Sequence, residues 1–595
     1  MKADTSPQLL AQRARESASS PGYWIRQSSA DWTPVSWGTQ FAAVRNLAAA
    51  LRNRGVRPGM RFGILAPNSI HWETTQFALL ACGASVAGLD VHYPGDTLDQ
   101  VIRAAQLDGL FASTHEMLAR LPPSTLSGLR HVYLLDAATA DATSPFPALP
   151  GLVSEGDASE AMPDWDLSIP DQKAMVVFSS GTTGVPKPIE YTHRQALLAL
   201  GEIVASFQDM APDANLVCWL PLANLFQRII DLCAVARGNA SYIVANPQDV
   251  MAACTVANPE LIVGVPRFFE RVHAGIQERV AASPRLVRGI ARWAIRRRAP
   301  ASGNPGGQSG GLGRRLGDQL SDRLVLTKLR AVFGSRVRYL VSGSAPMAGW
   351  LHEFFEGIGL PVYEAYGVSE NIVPIAMNRP GDRKVGTVGR VVPSNTVHLG
   401  PDGEIRVRGP GVFSGYLGSD DETRMPDAEG FWHTGDVGQI DSSGYLTILG
   451  RKSDAFKLST GRWISPVDVE SAIGPMNSVA HVVVTGAGRK VPTVILNLSS
   501  PAGDDSGRPS ARDIDLLIEQ LRDGSGVLPQ YQRPAGALLV TTPFSIAGGE
   551  LTSNLKLRRR AIEEKYLAKL DELYALVDSR TPESGLDDDF PLLMT

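Results

Sequence analysis

Nine consecutive residues, Ser179-Ser-Gly-Thr-Thr-Gly-Val-Pro-Lys187, follow the apolar run at 174–178 and precede a helix that opens near Thr192. A short apolar run bounded by turn residues predicts a buried strand, so the loop leaves a strand's carboxyl end, where open α/β sheets bind ligands. Gly181 and Gly184 let the backbone curl with its N–H groups turned inward. Ser179, Ser180, Thr182, Thr183 and Lys187 add hydroxyls and one positive charge. Such a loop suits oxyanions. It lacks the GxxxxGK[ST] order that sets a lysine and a hydroxyl at a helix start, so a Walker-type hydrolase is disfavoured.

With 595 residues, 44% of them hydrophobic, the chain exceeds what one core holds, and a large domain with at least one smaller one is expected. A net charge of −4 gives no global attraction to nucleic acid or anionic lipid, so anion binding must be local. Cys82, Cys218, Cys233 and Cys254 form no CxxC pair and lie mostly in apolar segments, as reduced structural thiols do; no zinc site is expected. Residues 1–15 lack the apolar core of a signal peptide. The most apolar long window, 216–236, contains Pro221, Asn224, Gln227, Arg228 and Asp231, too polar for a lipid-facing span. A soluble cytoplasmic protein is expected.

Apolar residues recur at helical spacing over 40–54 (Phe41, Val44, Leu47, Leu51), Gly55-Val-Arg-Pro-Gly59 stops that helix, and strand, helix and strand patterns follow at 62–66, 72–81 and 84–89. This βαβ rhythm predicts a parallel sheet covered by helices. Further on, a strand at 339–342 delivers Gly343-Ser-Ala-Pro346, and Tyr363-Glu-Ala-Tyr-Gly-Val-Ser-Glu370 comes soon after. Trp432-His-Thr-Gly-Asp436, Gly450-Arg-Lys-Ser-Asp454, Lys457-Leu-Ser-Thr-Gly461 and Gly549-Glu-Leu-Thr-Ser-Asn-Leu-Lys-Leu-Arg-Arg-Arg560 complete the series.

Together with the loop at 179–187, these segments resemble the adenylate-forming superfamily, which includes acyl-CoA synthetases, luciferases and peptide-synthetase adenylation domains. The resemblance runs from about residue 32 to about residue 569, apart from the Gly/Pro/Ser stretch at 300–313. It implies that the 179–187 loop, with Ser180 and Lys187, holds the phosphates of ATP. Gly343, Ser344 and Ala345 would meet adenine, and Tyr366 would offer it a ring face beside Gly367. Ser369 stands where the family has threonine, and Glu370 is implied as the Mg²⁺ ligand, a hard oxygen for a hard cation. Asp436 and Arg451 are implied as the ribose contacts, since a carboxylate can accept from both hydroxyls of a diol. Lys457 and Gly461 would face coenzyme A after a domain rotation. Lys556 is implied as the mobile catalytic lysine, acting with Lys187 and Glu370.

Trp219-Leu-Pro-Leu-Ala-Asn-Leu-Phe-Gln-Arg228 is similar to the LPLAHxxER segment of long-chain acyl-CoA synthetases, with Asn224 and Gln227 in place of histidine and glutamate. Asn224, Phe226 and Gly343 are therefore candidates for the acyl pocket. Asn224 reads equally as a helix-start cap, and Phe226 and Trp219 as core aromatics. Val263-Gly-Val-Pro-Arg-Phe-Phe-Glu-Arg271 resembles the VPR segment of long-chain members. Arg285, Arg288, Arg292, Trp293 and Arg296 to Arg298 read as a solvated face or as a weak contact with an anionic membrane surface.

The expected fold class is α/β. Residues 1–450 form a large domain of doubly wound mixed sheets with a small β-subdomain, and 451–454 a hinge with Ser453 at the pivot, where the family has Lys or Asp. Residues 455–578 form a small mobile α+β domain, with helices at 466–473 and 513–522 and strands at 479–485 and 491–497. Residues 579–595 read as a disordered acidic tail. The resemblance implies ATP-dependent activation of a long-chain fatty acid to acyl-AMP, then thioester formation with coenzyme A. Two alternatives stay open: transfer to the phosphopantetheine of an acyl carrier protein, and a nucleotide-binding regulator without activity.

Overall fold

The computed structural model describes residues 3–26, 31–136, 146–155, 165–179, 186–285, 288–289, 293, 295, 326–418, 425–474, 476, 478–499, 509–552, 556–579 and 590–595. Arg292 and Arg296 to Arg298 lie outside them.

The βαβ rhythm near the amino terminus builds a six-stranded sheet. Its order is His131–Leu134, Gly109–Ala112, Arg61–Leu65, Ser85–Leu89, Lys173–Phe178 and Pro188–Thr192, parallel except for the last pair. The central strands are buried on both faces, which is why they read as continuous apolar runs rather than alternating ones. Ser36 caps the helix Trp37–Asn53 and Ser69 caps Ile70–Ala81, each accepting from a backbone N–H three residues on. Gly55 ends the first of these regions at φ 92°.

A second sheet runs Leu261–Gly264, Tyr339–Gly343 and Val362–Tyr366 in parallel, then Ala376–Met377 and Arg390–Val391 antiparallel. A third pairs Pro21–Arg26 with Trp32–Ser36 and, in parallel, with Ala240–Ile243, which joins Asn215–Cys218. The expected β-subdomain is an antiparallel sheet of Thr396–Leu399, Glu404–Arg408, Trp432–Ile440 and Leu446–Arg451. All four cysteines are free and buried.

After residue 451, a short hairpin pairs Phe456–Lys457 with Trp463–Ile464. A four-stranded sheet follows, in the order Val479–Thr485, Thr493–Leu498, Ala537–Val540 and Leu592–Met594, beside helices Pro466–Ile473, Ala511–Ser525, Arg559–Lys565 and Leu567–Asp578. The last strand corrects the expectation of a disordered tail. Leu592–Met594 pairs parallel with Ala537–Val540, and Thr595 N–H donates to Leu539 O at 3.0 Å. Phe590, Leu592 and Met594 pack against the small domain's core. The acidic run Asp587 to Asp589 dominates the composition of the tail and masks the apolar end that follows it; residues 580–589 lie outside the described residues.

Candidate active site

The loop implied to bind phosphate is cinched at both ends. Ser179 N–H donates to Lys187 O at 2.9 Å, and Ser179 Oγ accepts from Lys187 N–H at 3.3 Å. Ser180, Gly181, Thr182, Thr183 and Gly184 lie outside the described residues. Lys187 stands one residue before the strand Pro188–Thr192, and its Nζ lies 5.0 Å from the centroid of the Tyr416 ring.

Glu370 comes from the turn after Val362–Tyr366. Its Oε1 accepts from the Tyr416 hydroxyl at 2.6 Å, and the neighbouring Ser369 carbonyl accepts from the Tyr191 hydroxyl at 2.6 Å. Burial, then the charge of Glu370, raises the Tyr191 hydroxyl's pKa well above its ordinary value, so it remains a donor. Among the described residues no group of three or more His, Cys, Asp and Glu side chains could hold a metal by itself. One carboxylate beside a phosphate loop fits Mg²⁺ that arrives with its nucleotide, because that ion keeps waters and phosphate oxygens as most of its ligands.

A second cluster forms around Asp436, which is buried in the strand Trp432–Ile440. Its Oδ2 accepts from the Tyr366 hydroxyl at 2.7 Å and its Oδ1 from Arg451 Nε at 2.9 Å. Burial, then Asp436, holds the Tyr366 hydroxyl's pKa well above its ordinary value. Lys556, from the small domain, belongs to the same neighbourhood. Burial of its ammonium, then the nearby Arg451, pulls its pKa down to about 8, while Asp436 acts in the opposite direction.

Gly343 ends the strand Tyr339–Gly343, and a methyl on it would lie 3.5 Å from Cε1 of Phe226. Phe226 thus lies beside the turn and is half-buried, packing against the core cluster that includes Trp219 and Phe268. Ser344 is exposed at φ 74°. Beneath the turn, Met347 N–H donates to Glu364 Oε1 at 2.8 Å, and His352 Nε2 lies 3.1 Å from the other Glu364 oxygen.

Asn224 occupies the N-cap position of the helix Leu225–Arg237, but its side chain makes no capping bond. Gln227 is a core residue. Its Oε1 accepts from Leu220 N–H at 3.2 Å and its Nε2 donates to Asp231 at 3.1 Å. A glutamate at 227 would set two carboxylates together away from water, so the amide fits this site. Trp219 is likewise core, donating from Nε1 to Val263 O at 2.8 Å. Lys457 and Gly461 are not brought to the Asp436 cluster by any contact described; the hairpin's backbone bonds, such as Gly488 N–H to Lys457 O at 2.9 Å, run to the small domain itself.

The sequence family of AMP-binding enzymes matches residues 12–417, and that of AMP-binding enzyme C-terminal domains matches 453–578. The chain belongs to the AMP-binding enzymes. It is 28% identical over 578 residues to a long-chain-fatty-acid–CoA ligase of Mycobacterium tuberculosis, covering 93% of this chain and 95% of that one. It is 26% identical over 577 residues to the human long-chain-fatty-acid–CoA ligase 1, covering 89% and 81%. Among solved structures, the adenylation domain of a carboxylate reductase from Mycobacterium chelonae superposes with a TM-score of 0.78 at 19% identity, over 96% of this AMP-binding enzyme and 91% of that chain. An anthranilate CoA ligase bound to anthranoyl-AMP superposes with a TM-score of 0.72 at 18% identity, over 96% and 98%. The α/β architecture with a small carboxyl-terminal domain is the fold of these adenylating proteins. Among the described residues, no helix of this AMP-binding enzyme is long and apolar enough to cross a membrane.

Three further residues stand beside the candidate groups: Tyr416 at Glu370 and Lys187, and Glu364 and His352 beneath the Gly343 turn. Tyr416 had only its place after Gly415 to mark it. Glu364 and His352 carried no signal beyond a polar pair on a strand and a helix.

Proposed function

We propose that this AMP-binding enzyme joins a long-chain fatty acid to coenzyme A through an acyl-AMP, releasing pyrophosphate and then AMP. Relatives named as long-chain-fatty-acid–CoA ligases that align with most of the chain support the substrate class. The observation that carries the reading is the convergence of Tyr366, from the large domain, and Arg451, at the start of the hinge, on the one buried carboxylate of Asp436.

In the first step a carboxylate oxygen attacks the α-phosphorus of ATP, and the bond from that phosphorus to the oxygen bridging the β-phosphate breaks. Two unit charges about 4 Å apart repel by roughly 4 kcal/mol at an effective dielectric near 20, so the approach of two anions needs fixed positive charge. Lys187 and Lys556 supply ammonium groups, and the loop from Ser179 to Lys187 supplies hydroxyl and N–H donors. Glu370 would hold Mg²⁺, which would supply further positive charge to the phosphates. Asp436 and Arg451 take the ribose hydroxyls, while Tyr366, Gly343, Ser344 and Ala345 flank the adenine. Asn224, Phe226 and Gly343 border the acid's carboxyl end.

In the second step the hinge at 451–454 turns the small domain, withdrawing Lys556 and bringing Lys457 and Gly461 toward coenzyme A. The thiol sulfur bonds to the acyl carbon, AMP leaves with the electrons of the acyl–oxygen bond, and the thiol proton passes to solvent. A panel of carboxylic acids, assayed for AMP release and acyl-CoA by mass spectrometry, tests the reading. Long-chain acids should give acyl-CoA. Accumulated acyl-adenylate in the presence of coenzyme A would point to a carrier protein as acceptor. An enzyme without ATP–pyrophosphate exchange on any acid would refute both.

A further inference from the structure

Three separate parts of the chain meet on the side chain of Tyr416. The segment around it is stitched on two sides: Leu417 N–H donates to Pro188 O at 2.9 Å beside a bridge between Ile189 and Tyr416, and Phe413 N–H donates to Glu370 O at 2.9 Å beside a bridge between Asn371 and Val412. The ring is further fixed edge-on against Phe413, with centroids 5.0 Å apart, and against Trp432 at 6.2 Å. From this rigid seat its hydroxyl reaches Glu370 Oε1 at 2.6 Å while its face carries the Lys187 ammonium 5.0 Å from the centroid.

Glu370 and Lys187 carry opposite charges in one small volume, and each has a separate task in the reading above, on which this inference rests. A direct ion pair would occupy both: the carboxylate would lose the oxygens a cation needs, and the ammonium would lose its freedom to meet phosphate. We propose that Tyr416 is a positioning residue that keeps this pair apart. The hydroxyl engages one carboxylate oxygen and leaves Oε2 for the cation that comes with ATP, much as an outer partner orients a ligating group. The ring gives the ammonium an electron-rich face that holds it without a competing charge. One phenol thus sets both the negative and the positive member of the phosphate site.

Two substitutions separate the two contacts. Tyr416→Phe keeps the ring and removes the hydroxyl; Tyr416→Leu removes both. Equilibrium binding of a fluorescent ATP analogue, with and without Mg²⁺, and Mn²⁺ binding in the presence of ATP by electron paramagnetic resonance, read the site without turnover. Tyr416→Phe should bind the metal-free nucleotide as the unaltered protein does and lose about tenfold in metal affinity. Tyr416→Leu should lose the same metal affinity and in addition bind metal-free nucleotide several-fold more weakly. Thermal melting checks that each variant is folded. Equal metal affinity in Tyr416→Phe and the unaltered protein would overturn the proposal, as would an equal loss of metal-free nucleotide binding in both variants. If the unaltered protein itself fails to bind ATP, the functional reading falls instead, and the two failures are distinct.

Discussion

Arg451 Nε donates to Asp436 Oδ1 across 2.9 Å, and the two residues also face each other in register on neighbouring strands. Asp436 is buried, whereas the Arg451 side chain is 44% exposed. The pair therefore links the last residue of the β-subdomain's edge strand, where the small domain begins, to the carboxylate proposed to hold the ribose. Removing the arginine leaves a buried carboxylate with the Tyr366 hydroxyl as its remaining described side-chain donor. A hydrogen bond to a charged group contributes about 1.5 to 3 kcal/mol, so Arg451→Ala should raise the KM for ATP in pyrophosphate exchange by about tenfold or more. An unchanged KM would detach Arg451 from the nucleotide site.

Lys556 gives a pH signature. Its folded pKa is lowered to about 8, chiefly by burial, so the cation proposed to serve the first half-reaction is present below that pH and lost above it. The kcat/KM for ATP in pyrophosphate exchange, which reports the free enzyme, should fall as pH rises through about 8. Lys556→Arg, which stays charged, should show whatever activity it retains without that fall. Stability runs the other way. Between about pH 8 and the ordinary lysine range the unfolded chain holds a proton that the folded chain has released, so folding strengthens as pH rises. A flat kcat/KM profile from pH 7 to 9 in the unaltered enzyme would rule out the assignment.

Local pattern carried much of this fold and only part of the site. The helix Pro466–Ile473 and the strand Val479–Thr485 fall at the expected positions: the helix buries Pro466, Val469 and Ile473 on one side, and the strand is an apolar run whose last three residues are buried. The helix Ser6–Ser17 lies where the sequence pattern predicts no element: its exposed face is polar, and it is held by distant contacts such as Arg13 Nε to Val235 O at 2.9 Å. The short final strand forms only because the Ala537–Val540 edge is there to receive it. Motifs named Asp436, Arg451 and Lys556, yet the bond from Tyr416 to Glu370 spans 46 residues and joins two turns without common periodicity. In the sequence Gln227 is only a departure from the family's glutamate, and its partners Leu220 and Asp231 reveal it as a core brace.

Ser344 sits on the turn proposed to meet adenine at φ 74°, a left-handed conformation that costs an L-residue roughly 1 to 2 kcal/mol. Glycine adopts it freely, although it gains entropy when unfolded. Ser344→Gly should therefore raise the unfolding free energy of the large domain by up to about 1 kcal/mol, and Ser344→Val should lower it by at least as much, both read by denaturant titration. Nucleotide affinity in Ser344→Gly should stay within a few-fold, since the turn is also held from below by Glu364 at Met347 N–H. A less stable Ser344→Gly variant would mean that the serine side chain contributes more than its backbone costs.

Arg267 opens the helix Pro266–Ala282 on the large domain, and its Nη1 donates to Ala480 O, in the small-domain strand Val479–Thr485, at 2.9 Å. The same nitrogen lies 2.7 Å from Glu270 Oε2, which aims it. Beside it, His481 has its pKa lowered to about 3, by burial and then by Arg267, so the imidazole stays neutral and no second charge contests the contact. This hydrogen bond joins the two parts of the chain in this arrangement, and the proposed turn at 451–454 would have to break it. A neutral-acceptor bond contributes about 0.5 to 1.5 kcal/mol, so Arg267→Ala should slow ATP–pyrophosphate exchange by about two- to tenfold. Thioester formation from added acyl-AMP and coenzyme A should be unchanged or faster, because the contact to be broken is already gone. Equal slowing of both half-reactions would show that Arg267 supports the fold in general rather than one position of the small domain.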